Sequence, residues 1–135
     1  MGFNFENELR YIENLNNDDE FFEMEFEKIK NNYPMIDSNE IHDFLKNKPG
    51  IIVALNKIRP LLDDYVPYAK FHLILDDDPL FVPQLLLMVN APKDKFRNEF
   101  KGNIRKINSS IRQFLLEFDL IAEFFIFEGS IRDNH

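Results

Sequence analysis

The chain has no cysteine and no tryptophan, and only four of its 135 residues are glycine. Without cysteine, disulfide scaffolds, thiolate metal sites and cysteine-nucleophile catalysis are excluded. The glycines lie far apart, at positions 2, 50, 102 and 129. Gly-rich loops that cradle phosphates or dinucleotides with backbone N–H groups therefore have no counterpart here, and neither does a Gly-x-Ser-x-Gly nucleophile elbow. Long apolar runs are missing as well, since none reaches the roughly 20 residues that a membrane span requires. The opening stretch carries acids within a few positions and lacks the basic segment and apolar run of a secretory signal. These absences lead us to expect a soluble, cytoplasmic protein with no cofactor.

The composition is that of a folded chain, 44% hydrophobic with 15 phenylalanines. Its length is that of one domain able to bury a core without metals or disulfides. We expect a single domain over 1–135, with a helical part at 1–66 and a β-β-α-β part at 69–128. The net charge of -8 repels phosphate backbones, so direct nucleic-acid binding is not expected, nor is binding to a membrane.

Hydrophobic spacing sets the order of elements. Phe5, Leu9 and Ile12 follow a helical period, as do Phe22, Phe26, Ile29 and Tyr33 behind the cap candidates Asp18 and Asp19. Pro34 closes that helix. Asp37 with Glu40 resembles a capping box, Ser38 being the other cap candidate, and opens a helix through Ile41, Phe44 and Leu45. After Lys48-Pro49-Gly50 the stripe Ile51, Leu55, Ile58, Leu62 makes another helix, with a kink or restart expected at Pro60. The period then changes to two. Phe71, Leu73 and Leu75 alternate with more polar positions, and Leu85, Leu87 and Val89 do the same, which predicts a hairpin closed by a long loop from Asp77 to Pro83. A stripe from Phe96 to Phe118 returns to helix, with Gly102 inside it. Ile121 to Phe127 reads as a third strand. The expected fold is α+β, with N-terminal helices followed by a three-stranded antiparallel sheet of order 2-1-3 packed against helices.

The most chemical-looking stretch is LILDDDPL, where Asp76, Asp77 and Asp78 follow an apolar strand. Neighbouring carboxylates at a strand end suit a divalent metal. However, the Gly-Ser turn that a nucleotidyltransferase needs upstream is missing, and the second strand, QLLLMVN, lacks the acid and lysine of a PD-(D/E)xK nuclease. Asp and Pro are also favoured turn residues, so the stretch reads first as the polar end of a hairpin. The histidines (His42, His72 and His135) show no metal-ligand spacing. The segment holding Lys101, Arg105 and Arg112 is a basic region in an acidic chain, opposed by acids from Asp18 to Glu27. Phe124 and Phe125 must point to opposite sides of the last strand. Both sheet faces there are apolar, so either helices cover both or one is an interface.

The stretch FLKNKPGIIVALNKIRPLLDDYVPYAKFHLILDDDPL resembles a domain of uncharacterised small prokaryotic proteins. In that pattern a helix ends in a Phe-Leu pair, an Asn-Pro-like break follows, and a second helix leads to a strand closing in a Ser-Asp-Pro-Glu-like turn. Phe44, Leu45, Pro49, Leu55, Phe71, Leu73, Leu75, Asp78 and Pro79 occupy the matching positions over about residues 40 to 128, and Leu80 departs from the acid usual there. The resemblance implies this architecture and a prokaryotic origin, with no activity attached. The reading that follows is a non-enzymatic accessory or regulatory domain, antitoxin-like in kind, that binds another protein or itself as a homodimer. Its expected contact residues are Phe125, Phe127, Lys101, Arg105 and Arg112. The alternatives are a metal-dependent enzyme using Asp76, Asp77 and Asp78, or an acidic mimic of nucleic acid that blocks a DNA-binding protein.

Overall fold

The computed structural model describes residues 4–76, 78 and 82–131. Helices α1 (Phe5–Asn17), α2 (Asp19–Asn32), α3 (Ser38–Asn47) and α4 (Gly50–Tyr65) come first. A hairpin of β1 (Lys70–Asp76) and β2 (Gln84–Ala91) follows, then a 3-10 turn at Lys93–Lys95, α5 (Asn98–Glu117) and β3 (Phe124–Ser130). The helix starts follow the capping chemistry. Asn4, Asp18 and Asp37 each accept a hydrogen bond from the backbone N–H three residues on, satisfying a donor that the first turn leaves free. Asp37 rather than Ser38 caps α3, and it does so from a left-handed backbone (φ 61°) that Asp tolerates.

Pro60 does not restart the fourth helix, which runs unbroken from Gly50 to Tyr65. Proline removes the donor that would serve the carbonyl of Asn56, but both residues are exposed and water can serve that carbonyl instead. One residue earlier, the buried Tyr33 hydroxyl donates to the carbonyl of Leu55 at 2.5 Å and ties the end of α2 to α4. The long C-terminal helix starts at Asn98, after the 3-10 turn, and ends at Glu117. The last strand begins three residues later than its apolar run. Ile121 to Glu123 form a turn instead, set up by Asp119 at φ 56° and by the N–H of Leu120 reaching back to Leu115 at 2.7 Å.

The sheet is mixed and open, with order β1-β2-β3. β1 and β2 are antiparallel, whereas β2 and β3 run parallel. This corrects the expected order 2-1-3 with all strands antiparallel, and two physical causes are visible. A single long helix separates β2 from β3, and it carries the chain back to the end where β2 began, so β3 must set out in the same direction. The outer edge of β1 is also taken. Leu73 donates to the carbonyl of Pro34 (2.8 Å) and accepts from Ile36 (2.9 Å), so the link between α2 and α3 lies where β3 was expected.

The core is built from the helical stripes and one face of the sheet: Leu73, Leu85, Leu87, Val89, Ala91 and Phe124 are buried with Phe22, Ile29, Leu55, Phe100 and Phe114. Among the described residues the one buried tyrosine in this core is Tyr33, its hydroxyl bonded to Leu55, and no other polar or charged residue is buried. No described helix is long and apolar enough to cross a membrane.

Candidate functional site

Strand alternation decides what the other sheet face carries. The odd-numbered residues of β2 are buried, and its even-numbered residues Gln84, Leu86, Met88 and Asn90 turn the opposite way. The pairing register then aligns side chains in rows across that opposite face. Ile74, Leu86 and Phe125 form one row, and His72, Met88 and Phe127 form the next. Polar or small residues bound the two rows, with Lys70, Asn90 and Gly129 on one side and Asp76 and Gln84 on the other. Ile74, Leu86, Met88, Phe125 and Phe127 all stay outside the apolar cluster that the helices form with the sheet. Phe125 and Phe127 lie with ring centroids 6.3 Å apart, and Phe127 is 47% exposed. Among the described residues the helices therefore cover one face of the sheet and leave an apolar patch with a polar rim on the other.

The patch borders an open edge. The N–H of Leu85 donates to the carbonyl of Glu123, and the N–H of Ile131 to that of Ala91, each at 2.8 Å. Backbone groups alternate sides along a strand, so the odd-numbered residues of β3 address β2. Phe124, Ile126, Glu128 and Ser130 consequently turn their N–H and C=O groups outward. Among the described residues nothing bonds to them there. Gly129 sits tight within this strand, since a Cβ there would collide with the side-chain oxygen of Asn90 on the neighbouring strand.

The basic residues singled out in the sequence lie on the other side of that edge. Lys101, Arg105, Asn108 and Arg112 recur every three or four residues and form one stripe of α5. Asn108, Ser109 and Arg112 line a groove together with Phe124, Phe125 and Ile126, which places the Arg112 end of the stripe beside the start of β3. Of the five predicted contact residues, Arg112 and Phe125 line this same groove. By strand alternation Phe125 and Phe127 start from the bare face and α5 lies on the other, with the edge of β3 between, where Phe125 and Arg112 meet at the groove. The Lys101 ammonium lies 4.8 Å from the centroid of Phe96.

The carboxylates are distributed differently. Asp76 and Asp78 are exposed near the end of the hairpin, and Asp77 lies outside the described residues. Among the described residues no group of three or more His, Asp or Glu side chains is placed to hold a metal ion. A nearby cleft of about 350 Å³ is lined by Glu40, Asp43, Lys48, Leu75, Val82 and Glu123, and not by Asp76 or Asp78. Lys48 approaches Glu123 there at 3.7 Å.

The acids of α2 are largely engaged within the molecule. Asp19 meets Lys46 at 2.9 Å, Glu23 meets His42 at 2.6 Å, and Glu25 accepts from the Tyr11 hydroxyl at 2.7 Å. Burial works against a charge on His42, but its hydrogen bonds to Glu23 and Asp43 outweigh this and raise its pKa above the ordinary value. For Glu25, burial likewise disfavours the charge, and the bonds from Lys28 and Tyr11 win, lowering its pKa. Burial, reinforced by Glu25, pushes the Tyr11 hydroxyl upward. These groups fasten α2 to α3 and to α1.

The sequence pointed to Phe125 and Phe127 but not to Ile74, Leu86 and Met88. Their even positions in two alternating strands were the available signal, and only the pairing register shows that they share rows with the phenylalanines. No protein-family model matches the chain, and no curated protein or solved structure shows significant similarity to it.

Proposed function

We propose that this chain is a protein-binding accessory or regulatory domain whose contact surface is the uncovered sheet face. One observation carries the reading: two adjacent rows of large apolar side chains, Ile74-Leu86-Phe125 and Met88-Phe127 with His72, lie on the face away from every described helix. Ile74, Leu86, Met88 and Phe125 are partly exposed and Phe127 is exposed, and each Å² of apolar surface that a partner covers contributes about 25 cal/mol. The polar rim of Lys70, Asp76, Gln84 and Asn90 would fix the orientation of that partner. Phe125 and Phe127 supply the aromatic anchors that dominate such contacts.

The test is a differential capture from extract of the source cell. The wild-type chain and an exposed control, Lys30→Glu on α2, should retain the same partner, and Met88→Asp at the centre of the patch should lose it while melting as a folded protein. Equal capture by all three would refute the assignment of the surface.

A further inference from the structure

We infer that the free edge of β3 accepts an extended peptide strand in which acidic and apolar residues alternate. The proposal rests on the preceding reading for a polypeptide partner and for the bare face beside Phe125 and Phe127. It adds a second, separate element of recognition, the edge rather than the face.

The first part of the argument is the backbone. Phe124, Ile126, Glu128 and Ser130 direct their N–H and C=O groups away from β2, and β3 has no proline or lysine to blunt pairing with a new strand. The opposite edge differs, because Leu73 of β1 is already bonded to Pro34 and Ile36. Strand addition is thus directed to one side of the sheet.

The second part is the side-chain code that the flanks impose. Any strand laid beside β3 alternates its side chains between the two faces. On the helix side they meet the stripe of Lys101, Arg105 and Arg112, with Arg112 lining the groove beside Phe124 and Ile126. Among the described residues neither Arg105 nor Arg112 has a carboxylate partner within 4.0 Å. On the bare side the same strand would extend the rows that end in Phe125 and Phe127. Carboxylates suit the first flank and branched or aromatic side chains the second, which is the alternation proposed.

A second copy of this chain fits less well. Two β3 strands paired antiparallel would bring two identical basic α5 stripes toward one another, with Glu128 the only acid that each β3 brings to that side. Like charges disfavour that arrangement, and an acidic strand avoids the conflict.

The experiment uses the full chain and three end-blocked peptides of nine residues: one alternating Glu with Val and Ile, one of the same composition with its acids and apolar residues in separate blocks, and one with Lys replacing Glu. Titration should show binding of the alternating acidic peptide alone, weakening as salt is raised. Arg105→Glu with Arg112→Glu should weaken it at least tenfold. Glu128→Pro removes an outward N–H without touching the bonds to β2 and should weaken it comparably. Lys30→Glu, remote from both the face and the edge, should leave it within about twofold, and the edge variants should retain the capture that Met88→Asp loses, so loss of face binding and loss of edge binding are told apart. Equal binding of the blocked peptide, or indifference to both edge variants, would overturn the proposal. So would concentration-dependent dimerisation with no peptide binding, which would give the edge to a second copy.

Discussion

The uncovered face can be tested by making one substitution at two adjacent residues. Leu86 and Leu87 are neighbours on β2 in the centre of the sheet, and alternation places only Leu87, which is 0% exposed, in the core. Leu87→Ala should leave a cavity among Leu73, Leu85 and Ile126 and destabilise by about 3 kcal/mol, within the range for buried leucine. For a chain of this size that corresponds to a fall in Tm of roughly 10 °C. Leu86→Ala removes the same atoms from a side chain that no helix covers. It should cost about 1 kcal/mol or less, from lost contact with Ile74 and Phe125 and from the weaker strand preference of alanine. Chemical denaturation and thermal melting of the two variants provide the comparison. If Leu86→Ala were as damaging as Leu87→Ala, the second face would be covered in the folded chain, and the interface assignment would fail with it.

Two further outcomes follow from the charged groups. The folded-state pKa of His42 lies above the ordinary 6.5, so its contribution is fully present below that value and drains away as pH rises through the folded pKa. Melting curves of the wild type should therefore lose stability on going from mildly acidic to mildly alkaline pH, and His42→Gln should remove that slope. An unchanged slope would mean that the bonds to Glu23 and Asp43 do not form in solution. For the aspartates, melting in Mg²⁺ or Mn²⁺ should match melting with chelator, in the wild type and in Asp76→Asn with Asp78→Asn alike. Metal-dependent stabilisation abolished by the double substitution would favour the alternative, a metal-dependent enzyme, over the binding reading.

Much of the fold was legible because its signals are periodic. The stripes Phe22-Phe26-Ile29-Tyr33 and Ile51-Leu55-Ile58-Leu62 each name a helix and the face it buries, and the alternation around Leu73 and Leu87 names the hairpin strands. Strand order was not legible. It depends on the short irregular segment Pro34–Ile36, which leaves no repeat in the sequence yet occupies the edge of β1. It also depends on the direction in which α5 delivers the chain, a property of a whole element rather than of any residue pattern. The candidate site was half visible for the same reason. Adjacent Phe124 and Phe125 announce two apolar faces, but the patch exists only once the register sets Leu86 between Ile74 and Phe125. The cations Lys101, Arg105 and Arg112 are plain in the sequence, and the groove that Arg112 shares with Phe124 and Ile126 is not.

The bond between the α2–α3 link and Leu73 has a consequence for assembly. A sheet with two available edges can add strands without limit, and such growth ends in fibres. Here the middle outward-facing residue of β1 is already committed, so a strand gained at β3 finds no equivalent edge from which the next could start. Growth by laying β3 of one copy along β1 of the next is therefore obstructed, and a few residues between two helices guard the protein against polymerising in that way.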